Sequence, residues 1–121
     1  FHRVIEGFMA QTGDVKFGNS NSSDFNLSKA GTGGSDLPNL KAEFTDVAHT
    51  RGILSAARSA DPDSANSQFF ICLEPAPHLD RQYSAFGKVL KGMEFVDMIK
   101  KGEPNSGSVT DPDKILSLKS K

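Results

Sequence analysis

The chain has 121 residues, with Lys+Arg 14 against Asp+Glu 15 and a formal net charge of -1. That length fits one domain, read here as residues 1–121, since domains commonly run to about 100–150 residues. The near-neutral balance, with Lys41, Arg51, Arg58 and Arg81 scattered, leaves nucleic acid and anionic membrane without an electrostatic footing. The single cysteine, Cys72, excludes an internal disulfide.

Phe1-His2-Arg3-Val4-Ile5 is aromatic and β-branched and reads as extended. Gly7 breaks the run, and Phe8-Met9-Ala10-Gln11 follows as a second short strand. Alternation with period 2 places Arg3 with Phe1 and Ile5, and Met9 with Gln11. A cation, an amide and large apolar side chains offered together suit a groove that grips an apolar ring and a peptide backbone.

Residues 16 to 36 carry Gly18, Gly31, Gly33 and Gly34, with only Phe17, Phe25 and Leu27 as sizeable apolar anchors. A loop of that length in a compact domain is usually functional or mobile. Gly31-Thr32-Gly33-Gly34 has the glycines of a phosphate cradle but no Lys-Ser/Thr after it, so it is read as a turn. Leu40 to Phe44 is a short element of open type. Strands are predicted over Ile53 to Arg58, Ser67 to Leu73 and Tyr83 to Leu90, the last with a bulge at Gly87. Met93 to Lys101 reads as a helix with Phe95, Val96 and Ile99 on one face and Gly102 as its stop. Lys114 to Leu118 reads as a closing strand. Short strands, one helix and long loops predict a mainly β chain, an antiparallel barrel or sandwich.

The usual catalytic constellations are mostly missing. His2, His49 and His78 lack metal-ligand spacing, so no metal and no cofactor is expected. Ser67 is a nucleophile only if a histidine and a carboxylate meet it in space. Cys72, inside Phe69-Phe70-Ile71-Cys72-Leu73, reads as a buried thiol. No apolar stretch approaches the ~18 residues of a membrane helix. A chain of this kind can still catalyse a conformational reaction, which needs only shape and well-placed dipoles.

FHRVIEGFMAQTGD, HTRGILSAAR, SANSQFFICL and HLDRQYSAFGKVLKGMEFVDMI, in that order, resemble the signature blocks of the cyclophilin-type peptidyl-prolyl cis-trans isomerases. LDRQYSAFG, with Tyr83 where a histidine is commoner, is similar to bacterial members. The resemblance implies a closed antiparallel β-barrel with a flanking helix, and a leading hairpin and first helix that are absent from this chain. It implies rotation about X-Pro bonds, with Arg3, Phe8 and Gln11 as the catalytic set. Met9, Ala57, Arg58, Gln68, Phe70, His78, Leu79 and Tyr83 would bind substrate, Arg58 through its main chain. Proline-containing peptides or unfolded proteins are the implied partners of a monomer, and His78 in place of a tryptophan implies weak cyclosporin binding. A cytoplasmic location is expected, with a periplasmic one left open. Residues upstream of Phe1 are expected to exist. The reading of another class is a non-catalytic proline-peptide binding module or chaperone.

Overall fold

The computed structural model describes residues 1–121. Five short strands, β1 (Arg3–Ile5), β2 (Met9–Thr12), β3 (Ile53–Ala56), β4 (Phe69–Cys72) and β5 (Ala85–Lys88), form one sheet in the order β1-β2-β4-β3-β5. Every neighbouring pair is antiparallel. The register aligns Arg3, Gln11, Phe70, Ser55 and Ala85 as one rung across all five strands. Cross-strand partners share a face, so these five side chains project together.

The sheet buries apolar groups on both faces, which divides the core in two. On the face of that rung, Met9, Ile53, Phe70 and Cys72 meet Ala76 and Leu79 from the segment after β4. On the other, Val4 and Ala10 meet Leu73 and are covered by Phe1, Met93, Val96, Ile99 and Val109. Met9 and Ala10 are neighbours in sequence and serve opposite cores, as strand alternation requires.

The closed barrel expected from the resemblance is not present. The sheet is open: β1 and β5 are its two edges and do not pair. Closure needs enough tilted strands to bring the last edge round to the first, and five strands of three or four residues do not curl that far. The outer side of β1 is taken by residues 107–109, with Val4 N–H donating to the Gly107 carbonyl at 2.8 Å and Val109 N–H to that of His2 at 3.1 Å.

The flanking helix is also shorter than predicted. Only α1 (Met93–Val96) is α-helical. Beyond it the amides of Met98 and Ile99 reach back three residues, to Phe95 and Val96, so the chain tightens and ends. Val96 and Ile99 face the core as expected, but Phe95 does not: it is exposed, as is Met98. With no second surface to bury them, continuing the helix would gain nothing. The closing strand over Lys114 to Leu118 does not form either. No strand lies beside it, and Leu116 is 97% exposed. In β5 the register passes from Leu54↔Gly87 to Ser55↔Ala85, so the extra residue of the bulge is Phe86, one place before the predicted Gly87.

Gly13 joins β2 to the long loop with φ +96, and a Cβ there would sit 2.6 Å from the Ser67 carbonyl oxygen. Ser67 itself donates its hydroxyl to the Gly13 carbonyl at 2.6 Å, which makes it a tie between β2 and the start of β4. Gly13→Ala is expected to destabilise the fold by at least ~1–2 kcal/mol from the left-handed backbone alone. A lower urea midpoint with unchanged slope checks this; an unchanged midpoint contradicts it.

Candidate functional site

The site is built on the rung face. Phe8, at the turn between β1 and β2, is half-buried and packs against buried Met9, Phe70 and Leu79, which makes this corner of the face an apolar niche with Phe8 at its surface. Leu79 arrives on a single 3-10 turn, Pro77–Leu79, whose proline opens it. His78 on that turn is exposed and tilts against Phe8, ring centroids 5.4 Å apart. Tyr83 meets Phe70 edge-on at 6.0 Å and lies under the Arg58 guanidinium, 4.3 Å from ring centre to Cζ. The Arg58 side chain also donates to the carbonyls of Ser59 and Gln82. Its main-chain N–H and C=O have no partner within the chain. Such a backbone can pair with an extended peptide.

Beside the niche runs a polar line. The Arg3 Nη1 donates to Gln11 Oε1 at 3.3 Å, and its Nε to the Ser106 carbonyl at 3.1 Å. The Nη2 end carries no hydrogen bond. Gln11 Nε2 donates to Gln68 Oε1 at 3.0 Å. Gln68 in turn donates to the carbonyls of Gly31 and Gly33, at 3.0 and 2.9 Å. These glutamines, Ala57 and the 31–33 turn border a polar pocket of about 230 Å³. The structure thus gathers all eleven side chains singled out in the sequence on or around one face, with Arg3, Gln11 and Gln68 on its polar side, Ala57 and Arg58 between the polar pocket and Tyr83, and the rest around the niche.

Two features, the contacts of His49 and of Asp14, were not legible in the sequence. His49, 2% exposed, lies between Asp80 and Ser55, with Nδ1 3.1 Å from Asp80 Oδ1 and Nε2 2.9 Å from Ser55 Oγ. A serine, a histidine and a carboxylate in line have the connectivity of a nucleophile, base and orienter. Ser55, however, is 0% exposed in mid-sheet, so no acyl group can reach it. The backbone N–H of His49 also donates to Asp80 Oδ1 and, with its ring, holds that carboxyl below its usual range. This string pins the loop carrying Leu79 to β3. Cys72 is fully buried, and burial pushes its thiol up to about 11. It is packing, as its apolar run suggested.

Asp14, 4% exposed, accepts four backbone amides: Lys16 and Phe17 on Oδ1, Gly31 and Gly33 on Oδ2. Burial alone would raise this carboxyl, but the four amides outweigh it and hold it below its usual value. A folded-state value below the unfolded one (~3.9) gives stability that is present above about pH 4 and lost as pH falls through the folded value. Urea midpoints between pH 6 and pH 2.5 should therefore fall less steeply in Asp14→Asn than in the native chain. Equal slopes would contradict the assignment.

One face of the open antiparallel sheet thus carries an arginine, two linked amide side chains and an aromatic-rich apolar cluster. Residues 1–120 match the family described as cyclophilin type peptidyl-prolyl cis-trans isomerase/CLD. The chain is 56% identical over 117 residues to a probable peptidyl-prolyl cis-trans isomerase of Brucella abortus (strain 2308), covering 96% of this chain and 59% of the relative. A peptidyl-prolyl cis-trans isomerase of Arabidopsis thaliana is 44% identical over 100 residues, 83% of this chain and 42% of that one. Among solved structures, a Cryptosporidium parvum cyclophilin type peptidyl-prolyl cis-trans isomerase in the presence of the dipeptide ala-pro has a TM-score of 0.72 at 29% identity, over 93% of this chain and 67% of that one. A cyclophilin from Hirschia baltica has a TM-score of 0.70 at 23% identity, over 93% and 55%, and shares the fold. The chain belongs to the cyclophilin-type peptidyl-prolyl cis-trans isomerase family. It spans 59% of the length of its Brucella relatives. No helix is long and apolar enough to cross a membrane.

Proposed function

We propose that this chain accelerates rotation about X-Pro bonds of proline-containing peptides or exposed, unfolded segments. The amide barrier is ~18–20 kcal/mol because planarity conserves resonance. A quarter turn breaks that resonance and leaves a lone pair on the prolyl nitrogen. A guanidinium aimed at that nitrogen binds the twisted state better than either planar state, which is the differential binding that catalysis requires. Arg3 is always charged, its Nη2 end is free, and it shares a rung with Phe70. That shared rung is the observation that carries the reading.

A millionfold acceleration corresponds to ~8 kcal/mol, and one charge-assisted hydrogen bond supplies ~1.5–3. The remainder falls to the niche. Phe8, Met9, Phe70 and Leu79 hold the ring still, with Tyr83 and His78 at the rim. Gln11 has its oxygen on Arg3 and one amide hydrogen on Gln68, which leaves its other hydrogen for a substrate carbonyl. Ala57, the Arg58 main chain and Gln68 line the continuation of the groove. His78 is a smaller shelf than a tryptophan, so cyclosporin should bind weakly.

Two-dimensional exchange spectroscopy on an Ala-Pro peptide tests the reading without a coupling enzyme. Exchange faster than the spontaneous tens of seconds supports it. Peptide binding without faster exchange would replace it with the binding-module reading.

A further inference from the structure

We propose that Asp14 is a positioning residue for Arg3, acting through the loop it folds and through two glutamine side chains. The inference rests on the isomerase reading for its functional consequence, though its geometry stands apart from it. Asp14 makes no contact with the niche. Its Oδ2 accepts the amides of Gly31 and Gly33, at 2.8 and 3.0 Å, and so brings residues from far along the loop against the end of β2. The carbonyls of those same two glycines then accept both hydrogens of the Gln68 amide.

The direction of the remaining two hydrogen bonds, Gln68 to Gln11 and Gln11 to Arg3, is then forced. A primary amide has two hydrogens and one oxygen. With both Gln68 hydrogens turned toward the loop, only its oxygen can face Gln11. Gln11 must then turn its nitrogen to Gln68, which leaves its oxygen toward the Arg3 guanidinium. Remove the two glycine carbonyls and either amide can flip. A flipped Gln11 sets its NH2 against a guanidinium, donor against donor, and Arg3 loses the acceptor that aims it. The glycine-rich turn is thus neither a phosphate cradle nor an idle connection: it sets the orientation of two amides.

Asp14→Asn keeps the shape and one acceptor oxygen but turns an NH2 toward two of the four amides. It should lower kcat about tenfold, since a misplacement of about 1 Å from a change far from the chemistry can cost as much as ~10²-fold. KM should rise by no more than a few-fold, less than kcat falls, since the niche is untouched and only the Gln11 contact to a substrate carbonyl is turned. In a Gln68→Leu background, where the relay is already cut, Asp14→Asn should have no further effect on kcat. A merely structural role would keep its full effect there, and that result, or an unchanged kcat in the single variant, overturns the proposal.

The Arg3 Nε–H signal in the nitrogen–proton NMR spectrum gives a readout independent of turnover. It should shift in Asp14→Asn and in Gln68→Leu alike. If the native chain shows no isomerase activity, the functional reading fails and this signal alone decides the relay: a shift in both variants supports it, an unmoved signal overturns it. If neither variant folds, hydrogen exchange of the native chain decides. The Gly31 and Gly33 amides and the side-chain amides of Gln11 and Gln68 should then open together, and independent exchange overturns the proposal.

Discussion

Arg3→Ala is expected to remove on the order of 10²–10³-fold of the acceleration, the usual loss when one donor aimed at developing transition-state charge is deleted. The reason lies in where Arg3 sits. Its backbone is locked in β1 opposite Gln11, and its side chain is tethered at one end by Gln11 and at Nε by the Ser106 carbonyl. Only the free end is left to meet a prolyl nitrogen. A planar X-Pro bond offers that end little, because the nitrogen lone pair is delocalised. Peptide binding should therefore survive, as the proposed ring contacts, Phe8, Met9, Phe70 and Leu79, are left in place. Exchange spectroscopy for turnover and titration for affinity separate the two; equal losses in both would contradict the assignment.

Phe70→Ala is expected to lower stability by ~3–5 kcal/mol, a large fraction of the ~5–15 kcal/mol that a domain has in total. Phe70 is 5% exposed and central to the rung. Its ring lies 6.4 Å from that of His49, nearly parallel, and meets Tyr83 edge-on. Deleting it opens a cavity between the sheet and the Leu79 turn and takes away the floor of the niche at once. Phe70→Leu separates these effects. It should cost far less stability, since apolar volume is mostly retained, while the flat surface that faces the substrate ring is lost. Guanidinium melts and exchange rates on the pair check both. A leucine variant with native turnover would place the substrate ring elsewhere.

Much of the fold can be read from residue pattern because the relevant forces are local. Alternation in Phe1–Gln11 put Arg3 with Ile5 and Met9 with Gln11, and the β1–β2 ladder pairs them as Arg3↔Gln11 and Ile5↔Met9. The family was legible from four ordered blocks, and the match over residues 1–120 agrees. What pattern could not supply was closure. Met93 to Lys101 has helical periodicity, but a helix persists only where its apolar stripe finds cover, and here Phe95 and Met98 find none. Lys114 to Leu118 has the apolar residues of a closing strand, yet a strand needs a neighbour with free backbone groups, and the β1 edge is already paired to residues 107–109. Asp14, Asp80 and Ser55 gave no local signal, since Asp80 and His49 stand 31 positions apart and Asp14 and Gly33 stand 19 apart. Such contacts exist only once the loops are folded.

If the groove prefers the turned imide to its flat forms and owes that preference to Arg3, two ligands will show it. One is a plain Ala-Pro peptide, the other a proline derivative locked about a quarter turn out of the amide plane, each titrated onto the native chain and onto Arg3→Ala. The native chain should bind the locked derivative at least about tenfold more tightly than the peptide, and the substitution should erase that advantage while leaving the peptide's affinity within about twofold. If both ligands weaken by the same factor, the guanidinium serves ground-state binding and does not drive the rotation.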